Sequence, residues 1–193
     1  MSRTWMSILA TVVLLGVPAV PAEEPQPSHK ELKRASKRAK IDEMAAESIK
    51  ELLAKSEKAN VLFNKSYGYA VFDNLKFAFV LSGGGGVGVA RNRDTGEKIY
   101  MKMGTAGIGL GLGGQKYQVI FLLQDKMTYD SFVDKGWEAG GNANAVAGPV
   151  GANAPATFIN GMAVYQLTEG GLMRQADIAG TKYWKYKKLN RDS

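Results

Sequence analysis

Few side chains in this sequence could perform acid, base, nucleophilic or metal chemistry. His29 is the sole histidine and sits in a polar N-terminal stretch, so neither an imidazole base nor a histidine metal cluster can be assembled. Ser66, Ser82 and Ser131 therefore have no histidine to activate them, and G-x-S-x-G is absent. The carboxylate pairs Asp42 with Glu43 and Asp125 with Asp130 read as solvated charges rather than acid/base couples. With no cysteine anywhere, disulfides, thiolate metal sites and a lipid-modified cysteine anchor are ruled out. The expectation is a protein without enzymatic activity, metal or cofactor.

The glycine run LSGGGGVGVARN, residues 81–92, formally contains the G-x-G-x-x-G fingerprint of dinucleotide-binding folds. That fingerprint needs a helix directly behind it to hold a pyrophosphate, and an acidic residue about 20 positions on. Here the continuation alternates and then turns, which is the pattern of strand and hairpin. A second formal match at Gly109, Gly111 and Gly114 shows how readily the pattern arises among 23 glycines. No G-K-[ST] follows either one, so the phosphate-loop reading fails as well.

Two basic clusters are the positive evidence for a binding function. The first is Lys30, Lys33, Arg34, Lys37 and Arg38, spaced three and four apart. The second is KYWKYKKLNR at 182–191, where Tyr183, Trp184 and Tyr186 are interleaved with Lys182, Lys185, Lys187 and Lys188. Cations beside amphipathic aromatics suit a membrane interface, where lysines meet lipid phosphates and rings sit at headgroup depth. The same combination suits single-stranded nucleic acid, but an exported protein argues against that partner. Export is expected because residues 1–22 read as a secretory signal: Arg3 in the n-region, an apolar stretch from Ile8 to Val17, and Val20-Pro21-Ala22 before Glu23. Arg3 is its only charged residue, so cleavage would take the formal net charge from +7 to +6.

The elements that must position these clusters follow from periodicity. Residues 23–29 read as a flexible linker, and residues 30–193 as one domain whose segment 30–40 is a basic helical arm. Ile41, Met44, Ala45, Ile49, Leu52 and Leu53 lie on one side of a helix spanning about Lys30 to Lys55. The basic residues of its first turns fall on nearly the same side, so the face changes from cationic to apolar and the first turns are expected to project beyond the body. From Tyr67 onward short alternating runs broken by glycine (YGYAVF, KFAFVL, VGVARN, KIYMKM, IGLGLG, KYQVIFLL, AVYQL, LMRQADIAG) predict antiparallel sheet. Thr128 to Lys135 predicts a short internal helix ending at Gly136. Residues 136–157, rich in Gly, Ala and Asn, read as disorder or, slightly preferred, as small-residue strands around Ala145-Val146-Ala147.

Glycines alternate at 84, 86 and 88 and again at 107, 109, 111 and 113. Alternate residues of a strand share a face, so Gly84, Gly86 and Gly88, and likewise Gly107, Gly109, Gly111 and Gly113, present bare faces. Such faces admit close backbone approach or the coiling that closes a small barrel. The predicted class is α+β: an antiparallel, barrel-like sheet with glycine-rich strands, packed by an N-terminal amphipathic helix and a short internal helix.

From Ile41 to its end the sequence resembles the SYLF lipid-binding domain family, bacterial secreted branch. The resemblance rests on YGYAVFD at 67–73, SGGGGVGVA at 82–90, GIGLGLGGQ at 107–115, AGPVG at 147–151 and YQLTEGGLMRQADIAGTKYW at 165–184. It departs at Asp73, where the family usually has proline, and at Lys98-Ile99-Tyr100, where a tryptophan-containing motif is common. The resemblance implies a non-catalytic domain that binds phospholipid headgroups through a basic surface and an amphipathic helix. The expected function is peripheral association with anionic phospholipid headgroups of the cell envelope, in a periplasmic or secreted location; the alternative is a scaffolding envelope protein with a protein partner.

Overall fold

The computed structural model describes residues 27–78, 82–107, 113–139, 156–168, 171–173 and 180–191. The signal reading at 1–22, most of the linker, Gly109, Gly111 and the 140–155 part of the Gly/Ala/Asn tract lie outside the described residues.

Helix α1 spans His29–Lys55 and opens with a capping box: the Glu31 amide donates to the Ser28 hydroxyl, and the Ser28 amide to the Glu31 carboxylate. Ile41, Ala45, Ser48, Ile49 and Leu52 form its buried stripe. Ser56 ends α1 and at once caps α2, Glu57–Lys65, whose Ala59 amide donates to the Ser56 hydroxyl. The periodicity of the sequence predicts only the first of these helices. The apolar spacing runs on through Ala59 and Leu62, and the strand-like texture begins close behind.

The strands are β1 Gly68–Ala78, β2 Ser82–Asn92, β3 Lys98–Gly107, β4 Gly113–Leu123, β5 Trp137–Glu138, β6 Met162–Thr168, β7 Gly171–Met173 and β8 Thr181–Lys185. They form one antiparallel sheet in the order β5-β8-β3-β2-β1-β4-β6-β7. Gly68–Phe72 of YGYAVF and Lys76–Ala78 of KFAFVL, separate runs by sequence texture, belong to the single strand β1, which passes through Asp73 and Asn74 without a break. Among the described residues β5 and β7 are the outermost strands of this order. The expected internal helix is α3, Lys126–Asp130, which continues as one turn of π-helix over Ser131–Lys135 and stops at Gly136 with φ +78°.

The sheet is a curled half-barrel with a core on each face. Inside the curl, Phe72, Phe121, Phe132, Trp137 and Tyr183 form one aromatic cluster. Tyr183 on β8 and Phe121 on β4 are separated by three intervening strands, roughly 19 Å along a flat sheet. Their ring centroids are 4.9 Å apart, so the curl brings the two rings together across the interior. The alternating glycines of β2 are the floor of that curl. A Cβ on Gly88 would fall on the Val71 carbonyl oxygen and lie 2.5 Å from the Phe72 ring; one on Gly86 would strike the Asp73 carbonyl and Met103. The other face of β2 carries Val87 and Val89 toward α1 and α2, where Ile41, Ile49, Leu52 and Leu62 pack on Val71, Ile120, Leu122 and Tyr165. The expected division into a bare face and an apolar face holds for β2. Gly107 and Gly113 end β3 and begin β4.

Candidate anion-binding site

Where the buried stripe of α1 gives way to cations, the helix lies against the C-terminal turn that follows β8. The turn is held by backbone, side-chain and ring contacts. Leu189 is buried among the helix-side core residues, and its amide donates to the Tyr186 carbonyl at 2.9 Å. The Arg38 guanidinium donates to the Leu189 carbonyl at 2.8 Å and the Arg191 carbonyl at 3.1 Å, and sits over the Tyr100 ring. Asn190 accepts from the Tyr100 amide at 2.8 Å and donates to the Tyr100 carbonyl at 2.7 Å and the Tyr186 carbonyl at 3.0 Å. Its side-chain amide thus stands in for one more residue of strand pairing after β8 has ended.

The consequence is a cleft of about 310 Å³ lined by Lys30, Lys33, Arg34 and Lys37 from α1 and by Tyr186, Lys188, Leu189 and Arg191 from the turn. Six of these eight residues are cationic and none is acidic. The cleft therefore joins Lys30, Lys33, Arg34 and Lys37 of the first basic cluster to Tyr186, Lys188 and Arg191 of the second, some 150 residues on. From Lys37 onward the helix does not project as its charge pattern suggested: the Lys37 ammonium lies 5.0 Å from the centre of the Tyr186 ring. Lys102 of β3 covers the same ring at 4.2 Å, so Tyr186 is flanked by two ammonium groups. Lys102 was not among the sequence candidates. Its signal was the alternation of Tyr100, Lys102 and Gly104, which puts all three on the helix-side face beside Trp184.

The remaining candidates have other surroundings. Tyr183 is 1% exposed inside the curl, because Thr181 and Tyr183 alternate inward while Lys182 and Trp184 alternate outward; it is a core residue and cannot meet a lipid surface. Burial among these rings pushes its phenol well above the usual range, with nearby Tyr117 acting the same way. Arg38 is half-buried and spends its donors on the carbonyls of the turn, so its role is to hold the cleft. Lys182 pairs with Glu138 at 3.0 Å and Lys185 with Asp134 at 2.9 Å, toward β5 and the π-helical turn. Trp184 is 44% exposed and lies on the bare backbone of Gly104, and Lys187 is exposed.

Below the cleft Asp42 ties α1 to β3. It receives the Tyr100 hydroxyl at 3.2 Å and the Lys98 ammonium at 2.7 Å. Burial, with the Asp42 charge beside it, pushes the Tyr100 phenol up to about 12. Among the described residues no group of histidine and carboxylate side chains is placed to hold a metal ion, and no helix is long and apolar enough to cross a membrane. What the cleft can do chemically is bind an anion, by ammonium and guanidinium contacts to phosphate- or carboxylate-like oxygens.

Comparison with known proteins agrees with the motifs. Residues 104–193 match the family Ysc84, described as "Las17-binding protein actin regulator". The match contains β4 to β8 and the C-terminal half of the cleft, whereas the cationic turns of α1 precede it. The chain is also similar to beta cell expansion factor A of Aeromonas veronii, with 45% identity over 153 residues. That alignment takes in 79% of this chain and 59% of the relative, so the chain spans less than two thirds of the relative's length. Residues 104–193 thus carry the Ysc84 domain match, that of the SYLF-domain family which the GIGLGLGGQ and YQLTEGG motifs resemble.

Proposed function

We propose that this protein is a non-catalytic, exported lipid-binding protein that attaches peripherally to anionic phospholipid headgroups of the cell envelope through the cleft between α1 and the C-terminal turn. The observation that carries the reading is the lining: six cations, one tyrosine, one leucine and no carboxylate. Each cation near an anionic surface contributes about 1 kcal/mol. Five or six together give attachment that is reversible and weakened by salt. Trp184 and Tyr186, on the same face of β8 and its extension, are suited to headgroup depth.

Co-sedimentation with vesicles of phosphatidylglycerol, against vesicles of phosphatidylcholine, tests it across a salt series. Binding to the anionic vesicles alone, falling steadily with salt, is expected. Binding indifferent to both salt and lipid charge would sink the mechanism. A protein partner is the second reading, favoured by the family description, which names binding of Las17. A stoichiometric protein recovered from an envelope extract, with no vesicle binding, would select it.

A further inference from the structure

The cleft is only half helix; its other half is a turn with no regular secondary structure, and a turn left to itself would scatter Lys188 and Arg191 over many positions. One neutral side chain prevents this. Asn190 makes three hydrogen bonds of 2.7 to 3.0 Å, two of them to the amide and carbonyl of Tyr100 in the middle of the sheet. Lys188 and Arg191 flank Leu189 and Asn190, so the cations are set by a plug and a clamp between them. Arg38 holds the same turn from the helix side, through the carbonyls of Leu189 and Arg191.

We propose that Asn190 is the positioning residue of the anion-binding cleft: its amide, paired like a strand residue to Tyr100, fixes Lys188 and Arg191 against Lys30, Lys33, Arg34 and Lys37. The inference rests on the lipid reading above and adds that affinity depends on a neutral side chain that touches no lipid. The requirement is specific, because position 190 must both accept and donate. An ionised aspartate there keeps the acceptor for the Tyr100 amide but turns a second oxygen toward the carbonyls of Tyr100 and Tyr186, where only a donor fits. A protonated aspartic acid regains one donor. The charged groups on the elements packed against the turn are Lys37 and Arg38 of α1 and Lys102 of β3, with Lys188 and Arg191 of the turn itself; the Tyr100 hydroxyl is bonded to Asp42.

The test compares wild type, Asn190→Asp and Asn190→Ala as full chains, binding to vesicles of phosphatidylglycerol and phosphatidylcholine in equal parts, near pH 7 and again near pH 4, about the ordinary aspartate value. Circular dichroism at each pH reports the fold. The expected result is a loss of at least about tenfold in affinity for both variants near pH 7, equal to the 1.4 kcal/mol that a lost hydrogen bond or two supplies. Near pH 4 the aspartate variant recovers toward the wild type and the alanine variant does not. Wild-type affinity for Asn190→Asp near pH 7, or the same affinity for both variants at both pH values, would overturn the role of Asn190 and leave the lipid reading standing. No binding by the wild type would overturn both. A check that needs no variant is the Tyr100 amide proton, which Asn190 protects from exchange with solvent; rapid exchange in the folded wild type would also overturn the clamp.

Discussion

The two faces of the sheet are built on opposite logic. Inside the curl, aromatic rings from β1, β4, β5, β8 and the π-helical turn touch one another over a floor of glycines, and each ring's position is fixed by several others. On the helix side, aliphatic residues of α1 and α2 cover the strands, and the covering helix runs on past its apolar stripe into a cationic end. The interior is specified by what the sequence leaves out, the side chains at Gly86 and Gly88. The helix face is specified by what it adds, a stripe that changes chemistry at Arg38. Rigidity and binding are thereby separated: the half-barrel holds β3 and β8, and these hold the turn that completes the cleft.

The harshest way to test that contrast is to put a side chain on the glycine floor. Gly88→Val would drive methyl groups into the Val71 carbonyl and the Phe72 ring. Overpacking of this kind costs typically 1–3 kcal/mol when neighbours can shift, and more where the obstacle is backbone. Loss of cooperative unfolding is expected, read by near-ultraviolet circular dichroism; a variant as stable as wild type would show that the curl tolerates a wider floor. On the opposite face Leu52→Ala removes a fully buried side chain and leaves a cavity, for an expected loss of about 2–5 kcal/mol in urea unfolding with the fold retained.

A smaller effect belongs to Tyr100, which links the two regions. Its phenol is raised in the folded state to about 12, from 10, by burial and by Asp42. A group raised on folding contributes its stabilisation fully below the unfolded value, and loses it as pH climbs from 10 toward 12. Unfolding curves of wild type should therefore steepen their decline with pH in that window relative to Tyr100→Phe. Superimposable curves would mean that the Tyr100 phenol is not buried beside Asp42 in solution. Smallest is Ser28→Ala, which removes the cap at the cationic end of α1 for about 0.5–1 kcal/mol. It should fray the turn carrying Lys30 and Lys33 and lower vesicle affinity more than thermal stability.

Much of this architecture was legible in the sequence. α1, predicted from Lys30 to Lys55, spans His29–Lys55, because three-and-four spacing survives wherever a helix packs on a flat face. The β2 glycines could be read as a bare strand face because alternation is a local property. The separation of α2 from α1 was harder to read, since one serine serves as the end of the first helix and the cap of the second. Sheet order was beyond reach: β8 pairs with β3 and β1 with β4 across long stretches of chain, and no local pattern encodes a distant partner. In the site, alternation in TKYWK already separated inward Tyr183 from outward Trp184, yet composition alone grouped them. Asn190 gave no signal, because its partners are backbone atoms, which carry no sequence.

The central claim is that anion binding belongs to the cleft and not to positive charge in general. Two charge-reversed proteins separate these in one vesicle co-sedimentation series at low salt. The first carries Lys33→Glu and Lys188→Glu in the cleft, with Arg38 left to hold the turn; the second carries Lys182→Glu and Lys185→Glu, the cations that pair with Glu138 and Asp134, so both lose the same charge. The account expects the first to lose attachment to phosphatidylglycerol vesicles while its thermal midpoint stays within a few degrees, and the second to bind nearly as wild type. Retained binding by the cleft variant, or its loss in the Lys182 and Lys185 variant alone, would contradict it.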